Sequence, residues 1–121
     1  MKRDHFLSII EHYDVILFDS YGVLKNYNGV INGVQETLKV IRSQEKRYRI
    51  LTNDASSSQE KLSNRFAQGG ITIRPHRIIT SGMMAQSFLE SKEINGKVLY
   101  LGTDASWHIR RRSRSMIIKP V

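Results

Sequence analysis

The strongest constraint on this chain is a rhythm, in which short apolar runs alternate with segments of helical spacing. The runs are Val15-Ile16-Leu17-Phe18, Tyr48-Arg49-Ile50-Leu51 and Val98-Leu99-Tyr100-Leu101. Each is too short for a helix, and the first is apolar at every position, as expected of a strand covered on both faces in a parallel sheet. Between the runs lie amphipathic patterns. Phe6, Ile9, Ile10 and Tyr13 share one helical face and predict a helix over 3–12. Val34, Leu38 and Ile41 predict a second, opened by Asn32 or Gly33 and closed by Lys46-Arg47, whose cations suit the negative end of the helix dipole. Leu62 and Phe66 predict a third, capped by one of the serines at 56–58 and stopped at Gly69-Gly70. Thr80-Ser81 caps a fourth that runs through Met84, Phe88 and Leu89, with Met83-Met84 read as core filler. Strands separated by single helices imply right-handed crossovers and a parallel sheet, so the expected class is α/β and layered.

Smaller signals fill the intervals. Lys25 to Val30 reads as a hairpin turning at Asn28-Gly29, and Asn95-Gly96 as a further turn. Residues 104–113 are expected to be helical, and Met116-Ile117-Ile118 to form a last strand. The net charge of +8 is unevenly placed: residues 1–105 carry fourteen Lys and Arg against all eleven acids, while residues 106–121 carry five cations and no acid. The Arg110–Arg114 run could meet a polyanion, but nucleic acid is not the expected partner, and a solvated basic surface is the simpler reading. The absence of cysteine excludes a disulfide framework, thiolate zinc and a cysteine nucleophile. No apolar run approaches the ~18 residues of a membrane span, and no secretory pattern opens the chain, so no membrane partner and a cytoplasmic location are expected.

In open parallel sheets, ligands gather beyond the carboxyl ends of the strands. Two strand ends here carry polar groups, Phe18-Asp19-Ser20-Tyr21-Gly22-Val23-Leu24 and Leu51-Thr52-Asn53-Asp54. A carboxylate directly after a buried strand and before a glycine turn is held toward the crevice; a threonine hydroxyl on a neighbouring end could meet a phosphoryl oxygen. From the residues alone, Asp19 is either such a group or an Asx residue capping its own turn. The four histidines stand at no metal-ligand spacing, no P-loop or dinucleotide fingerprint occurs, and Ser56-Ser57-Ser58 reads as a cap rather than a nucleophile.

The stretch from Asp14 to Leu24 resembles the first motif of the haloacid dehalogenase superfamily, and Leu51-Thr52-Asn53 its second. The Asn28-Gly29 hairpin is similar to the flap that follows the nucleophile. Ile79-Thr80-Ser81-Gly82 and Val98 to Gly102 resemble subgroup IIA, that of the nitrophenylphosphatase and sugar-phosphatase-like members. The likeness spans roughly residues 13–103. It implies a Rossmann-like three-layer parallel sheet core, incomplete here, with residues 1–95 as its N-terminal part and 96–121 as the beginning of an α/β cap or an altered basic terminus. It also implies phosphate-monoester hydrolysis through an aspartyl-phosphate on Asp19, with a small phosphorylated metabolite as substrate. Thr52, Asn53 and Gly22 would bind the phosphate, and Mg²⁺ would sit on the Asp19 carboxylate and the Tyr21 backbone carbonyl.

The sequence departs from that pattern at Tyr21, where phosphatases of the superfamily carry a second aspartate as general acid and base. A phenol with pKa near ~10 donates a hydrogen bond but is a poor base at neutral pH. The downstream lysine and acidic metal pair are also missing from the residues that follow. Weak or absent turnover is therefore expected, with weak Mg²⁺ binding. The alternative is a non-catalytic α/β module that binds phosphate or packs on a protein partner. Sheet edge and core surface left bare by a half-core would favour self-association.

Overall fold

A computed structural model of the chain describes residues 3–92, 98–102 and 116–120. Helix α1 (Arg3–Ile10) leads into β1 (Val15–Asp19), and a hairpin of β2 (Lys25–Asn26) and β3 (Gly29–Val30) follows. Then come α2 (Val34–Ser43), β4 (Arg47–Thr52), α3 (Gln59–Gln68), a 3-10 turn (Pro75–Arg77), β5 (Ile78–Thr80) and α4 (Ser81–Ser91). The last elements are β6 (Val98–Gly102) and β7 (Met116–Pro120).

The main sheet has the order β1-β4-β5 and is parallel throughout, with Phe18 beside Ile50 and Ile50 beside Ile78. β6 and β7 form a second parallel pair, Val98 to Met116 through Gly102 to Pro120. The α/β class and the parallel crossovers expected from the sequence are thus present. The Asn95-Gly96 turn, the helix expected at 104–113 and the arginine run lie outside the described residues. Among the described residues, no helix is long and apolar enough to cross a membrane.

One side of the main sheet carries the core. Phe18, Tyr48, Ile50 and Ile78 are buried together with Leu38 and Ile41 of α2 and with Leu62 and Phe66 of α3. Phe6 of α1 meets Phe18 at 6.1 Å between ring centroids, and Phe18 meets Tyr48 edge-on at 6.4 Å. Ser58 caps α3 by accepting from the Lys61 amide, and Thr80 caps α4 by accepting from the Met83 amide.

The opposite side of the sheet corrects the expectation for β1. Val15 is 43% exposed and Leu17 59% exposed, and Leu51 beside Asp19 is also exposed. Among the described residues the first strand is therefore covered on one face only, because both α2 and α3 cross over on the same side of a sheet that grows in a single direction. Met83 and Met84 are exposed as well, not core filler, and so are Ile9 and Tyr13 on the expected face of α1.

Two local readings also shift. The hairpin pairs Asn26 with Gly29, so the turn is Tyr27-Asn28 rather than Asn28-Gly29. The Asn26 side chain fixes it by accepting from the Asn28 amide at 2.8 Å, an Asx turn. Helix α2 ends at Ser43, short of Lys46-Arg47, and the chain reverses through Glu45 at φ 55°. Lys46 instead donates to the carbonyls of Glu11 and Tyr13, both at 3.0 Å, and so stabilises the far end of α1.

Candidate functional site

Asp19 is the last residue of β1 and Thr52 the last of β4. The parallel register sets Asp19 beside Leu51, so Thr52 stands one residue further along the adjacent strand, with about 5 Å between the strands. Thr52 in turn lies beside Thr80 of β5. Strand alternation turns Asp19 toward the open side with Val15 and Leu17, and Thr52 toward the side of Tyr48 and Ile50. An anion shared by the two would therefore lie over the strand ends, not against either face.

The turn after Asp19 is tightly closed. The Ser20 amide donates to Asp19 Oδ1 at 2.8 Å, which fixes the exposed carboxylate. The Ser20 carbonyl accepts from the amides of Leu24 and Lys25 at 3.0 and 3.1 Å, and the Gly22 amide donates to the Lys25 carbonyl at 2.7 Å. Gly22 has φ 85°, a left-handed conformation that glycine adopts without strain. Its N–H is committed to Lys25, so Gly22 gives the site its turn rather than a free donor. Tyr21 is 63% exposed, and its carbonyl accepts no hydrogen bond from the described residues.

The second strand end is held by a loop that the sequence marked only as rich in capping residues. Thr52 Oγ1 accepts from the Asp54 amide at 3.2 Å. Asp54 Oδ1 accepts from the Ser56 amide at 2.9 Å, the Ser56 hydroxyl at 3.0 Å and the Ser57 amide at 2.9 Å, while Oδ2 lies 3.6 Å from Arg65 of α3. Burial pushes the Asp54 carboxyl up, but the hydrogen bonds from Ser57 and Ser56 outweigh it and hold the group below its ordinary value. Asn53 is exposed, and its carbonyl accepts from the Ser81 hydroxyl at 2.8 Å, which ties the loop to the first turn of α4. Asp54 and Ser81 are the residues that reading for chemistry alone passes over. The spacing of Asp54 to Ser56 and Ser57 is the signal that finds the former.

Among the described residues, no three of His, Cys, Asp and Glu cluster to hold a metal ion. The donors on hand are the Asp19 carboxylate and the Tyr21 carbonyl, which in kind are the hard oxygens that Mg²⁺ takes. His12 and His76 are exposed and belong to no such group.

A family model described as haloacid dehalogenase-like hydrolase matches residues 16–113. A possible sugar phosphatase of that superfamily from Cytophaga hutchinsonii superposes with a TM-score of 0.81 at 37% identity, over 95% of this chain and 40% of that one. The 4-nitrophenylphosphatase of Schizosaccharomyces pombe is 30% identical over 82% of this chain and 31% of its own length. A glycerol phosphate phosphatase from Mycobacterium tuberculosis, solved in complex with magnesium, shares the fold with a TM-score of 0.72 at 22% identity, covering 93% of this chain and 33% of that one. The chain spans under a third of the length of the curated relatives it matches. With the motifs standing at the ends of neighbouring parallel strands and the family model covering most of its length, the chain belongs to the haloacid dehalogenase-like hydrolases.

Proposed function

We propose that the crevice over β1 and β4 binds the phosphoryl group of a small phosphorylated metabolite, and that Asp19 is the nucleophile of its hydrolysis. The observation that carries this reading is the placement of Asp19 and Thr52 on adjoining parallel strand ends, with the Asp19 carboxylate oriented by the Ser20 amide. An Asp19 oxygen attacks phosphorus, the ester P–O bond breaks, and the leaving alkoxide takes up a proton. Water then attacks the aspartyl-phosphate, which returns the free carboxylate and inorganic phosphate. Thr52 and the backbone near Asn53 orient the transferring group. Such positioning carries much of the catalysis in phosphoryl transfer.

Tyr21 occupies the place of the acid and base. Its phenol can donate toward the leaving oxygen but gives little help to the attacking water, so turnover is slow; losing a positioned acid–base group typically costs about 10²–10⁴ in rate. Mg²⁺ would be held by the Asp19 carboxylate and the Tyr21 carbonyl, which has no other partner among the described residues. When bound, it offsets the repulsion between the carboxylate and the phosphate. The same proposal assigns residues 1–95 to the core and 96–121 to the start of a cap, which the separate β6–β7 sheet supports. It also places the chain in the cytoplasm.

A second reading, a phosphate-binding module without turnover, is favoured by Tyr21 and by the lack of a metal-holding acidic group among the described residues. One experiment separates the two. Nitrophenyl phosphate hydrolysis with Mg²⁺, and the shift in melting temperature on adding Mg²⁺ with beryllium fluoride, are measured for the wild type and Asp19→Asn. Slow hydrolysis and a thermal shift, both lost in Asp19→Asn, are expected. A thermal shift without hydrolysis establishes the module. Hydrolysis that Asp19→Asn leaves unchanged, or neither signal at all, overturns the site.

A further inference from the structure

The strand-end crevice asks one thing of Thr52, that its hydroxyl donate to a phosphoryl oxygen. A hydroxyl donates one hydrogen bond and accepts up to two, so its role depends on what already holds it. Thr52 Oγ1 accepts from the Asp54 amide at 3.2 Å, and among the described residues nothing accepts the Thr52 proton. The oxygen is thus anchored through a lone pair while the proton is left for a ligand. Branching at Cβ keeps the Thr52 side chain stiff, so the aim of the hydroxyl depends on how firmly the Asp54 amide is held.

The Asp54 side chain holds it. Oδ1 gathers the Ser56 amide, the Ser56 hydroxyl and the Ser57 amide within 2.9–3.0 Å, closing a turn that suits the short side chain of Asp or Asn. Oδ2 lies 3.6 Å from Arg65 of α3, and the same guanidinium donates at 3.2 Å to Ser57 Oγ, in a residue only 1% exposed. The peptide that carries the Asp54 amide is thereby braced to a core helix. On charge alone, a carboxylate two residues from Thr52 would oppose a bound anion. Its value at this place lies in its geometry, with Arg65 offsetting the charge. We propose that Asp54 is a positioning residue of the phosphoryl site. By fixing its own amide on Thr52 Oγ1, it keeps the Thr52 hydroxyl a donor to the bound anion. This assignment rests on the reading of the β1–β4 crevice as a phosphoryl site, and every bond it uses lies within residues 52–65.

The test measures the affinity of the 121-residue chain for beryllium fluoride with Mg²⁺ by titration calorimetry. Asp54→Asn, Asp54→Glu and Asp54→Ala are made in the wild type and in Thr52→Val, and far-ultraviolet spectra confirm that each is folded. Thr52→Val should weaken binding about tenfold, the worth of one hydrogen bond to a charged group. Asp54→Asn keeps the length of the side chain and an acceptor oxygen, so its affinity should stay within about threefold of wild type. Asp54→Glu keeps the charge but is a methylene too long for the turn. It and Asp54→Ala should each weaken binding about tenfold, and neither should weaken Thr52→Val further. That non-additivity marks action through Thr52, since a residue that only stabilises the fold leaves the affinity of folded molecules unchanged. If Asp54→Ala does not fold, the contrast between Asp54→Asn and Asp54→Glu decides. Asp54→Glu binding as tightly as wild type, losses that add to that of Thr52→Val, or tighter binding on removing the charge in Asp54→Asn each overturns the proposal and leaves the phosphoryl reading in place. A wild type that does not bind, or binding that survives Asp19→Asn, overturns that reading and the proposal with it.

Discussion

Asp54 holds the loop that follows Thr52, and its replacement gives a quantitative check on how that strand end is built. In Asp54→Ala, the amides of Ser56 and Ser57 and the Ser56 hydroxyl lose their shared acceptor. At about 1 kcal/mol per bond, with the half-exposed Arg65 pair adding ~0–1, the loss is about 3–4 kcal/mol. Asp54→Asn keeps one acceptor oxygen and gives up the charge, so about 1 kcal/mol is expected. The pH dependence has a definite sign. The folded carboxyl titrates below its ordinary value of 3.8, so its stabilisation is fully present above that value and disappears as pH falls through the folded pKa. Urea unfolding of the wild type and Asp54→Asn, at neutral pH and at steps below pH ~4, should show a gap that closes toward acid. An Asp54→Ala variant as stable as wild type at neutral pH, or a gap that does not narrow on acidification, would refute the reasoning.

Two further outcomes follow from packing. Leu38 of α2 is 1% exposed within the core, so Leu38→Ala should cost about 2–5 kcal/mol in denaturant unfolding; a loss well under that would mean the α2–sheet contact is loose. A Cβ at Gly69 would stand 2.7 Å from Val30 Cγ2, where the end of α3 meets the hairpin. Gly69→Ala should therefore destabilise by about 1–3 kcal/mol, and the smaller Gly69→Ala with Val30→Ala together should recover part of it. No recovery in the double variant would place the strain elsewhere.

Much of this architecture is legible in the residues. The short apolar runs at 15–18 and 48–51, the capping residues Ser58 and Thr80, and the glycine turn after Asp19 each report a local requirement. Local requirements survive into the fold. What the residues do not record is the layer opposite. The all-apolar run at 15–18 reads as a strand covered on both faces, whereas the exposure of Val15, Leu17 and Leu51 reflects which side the described helices pack on. Lys46 was equally ambiguous: a cation after a helix suits that helix's dipole, yet the ammonium reaches a different helix end brought close by the β1–β4 pairing. The hairpin turn moved by one residue because an Asn26 side-chain bond outcompetes the Asn-Gly signal. At the site, the pairing of Asp19 with Thr52 was visible through strand order. The commitment of the Gly22 amide was not, since it depends on where the Lys25 carbonyl comes to lie.

The bond from the Ser81 hydroxyl to the Asn53 carbonyl has a mechanical consequence. It rivets the first coil of α4, which follows β5, to the loop that follows β4. Ser81→Val would remove that tie and leave the Asn53 carbonyl to water.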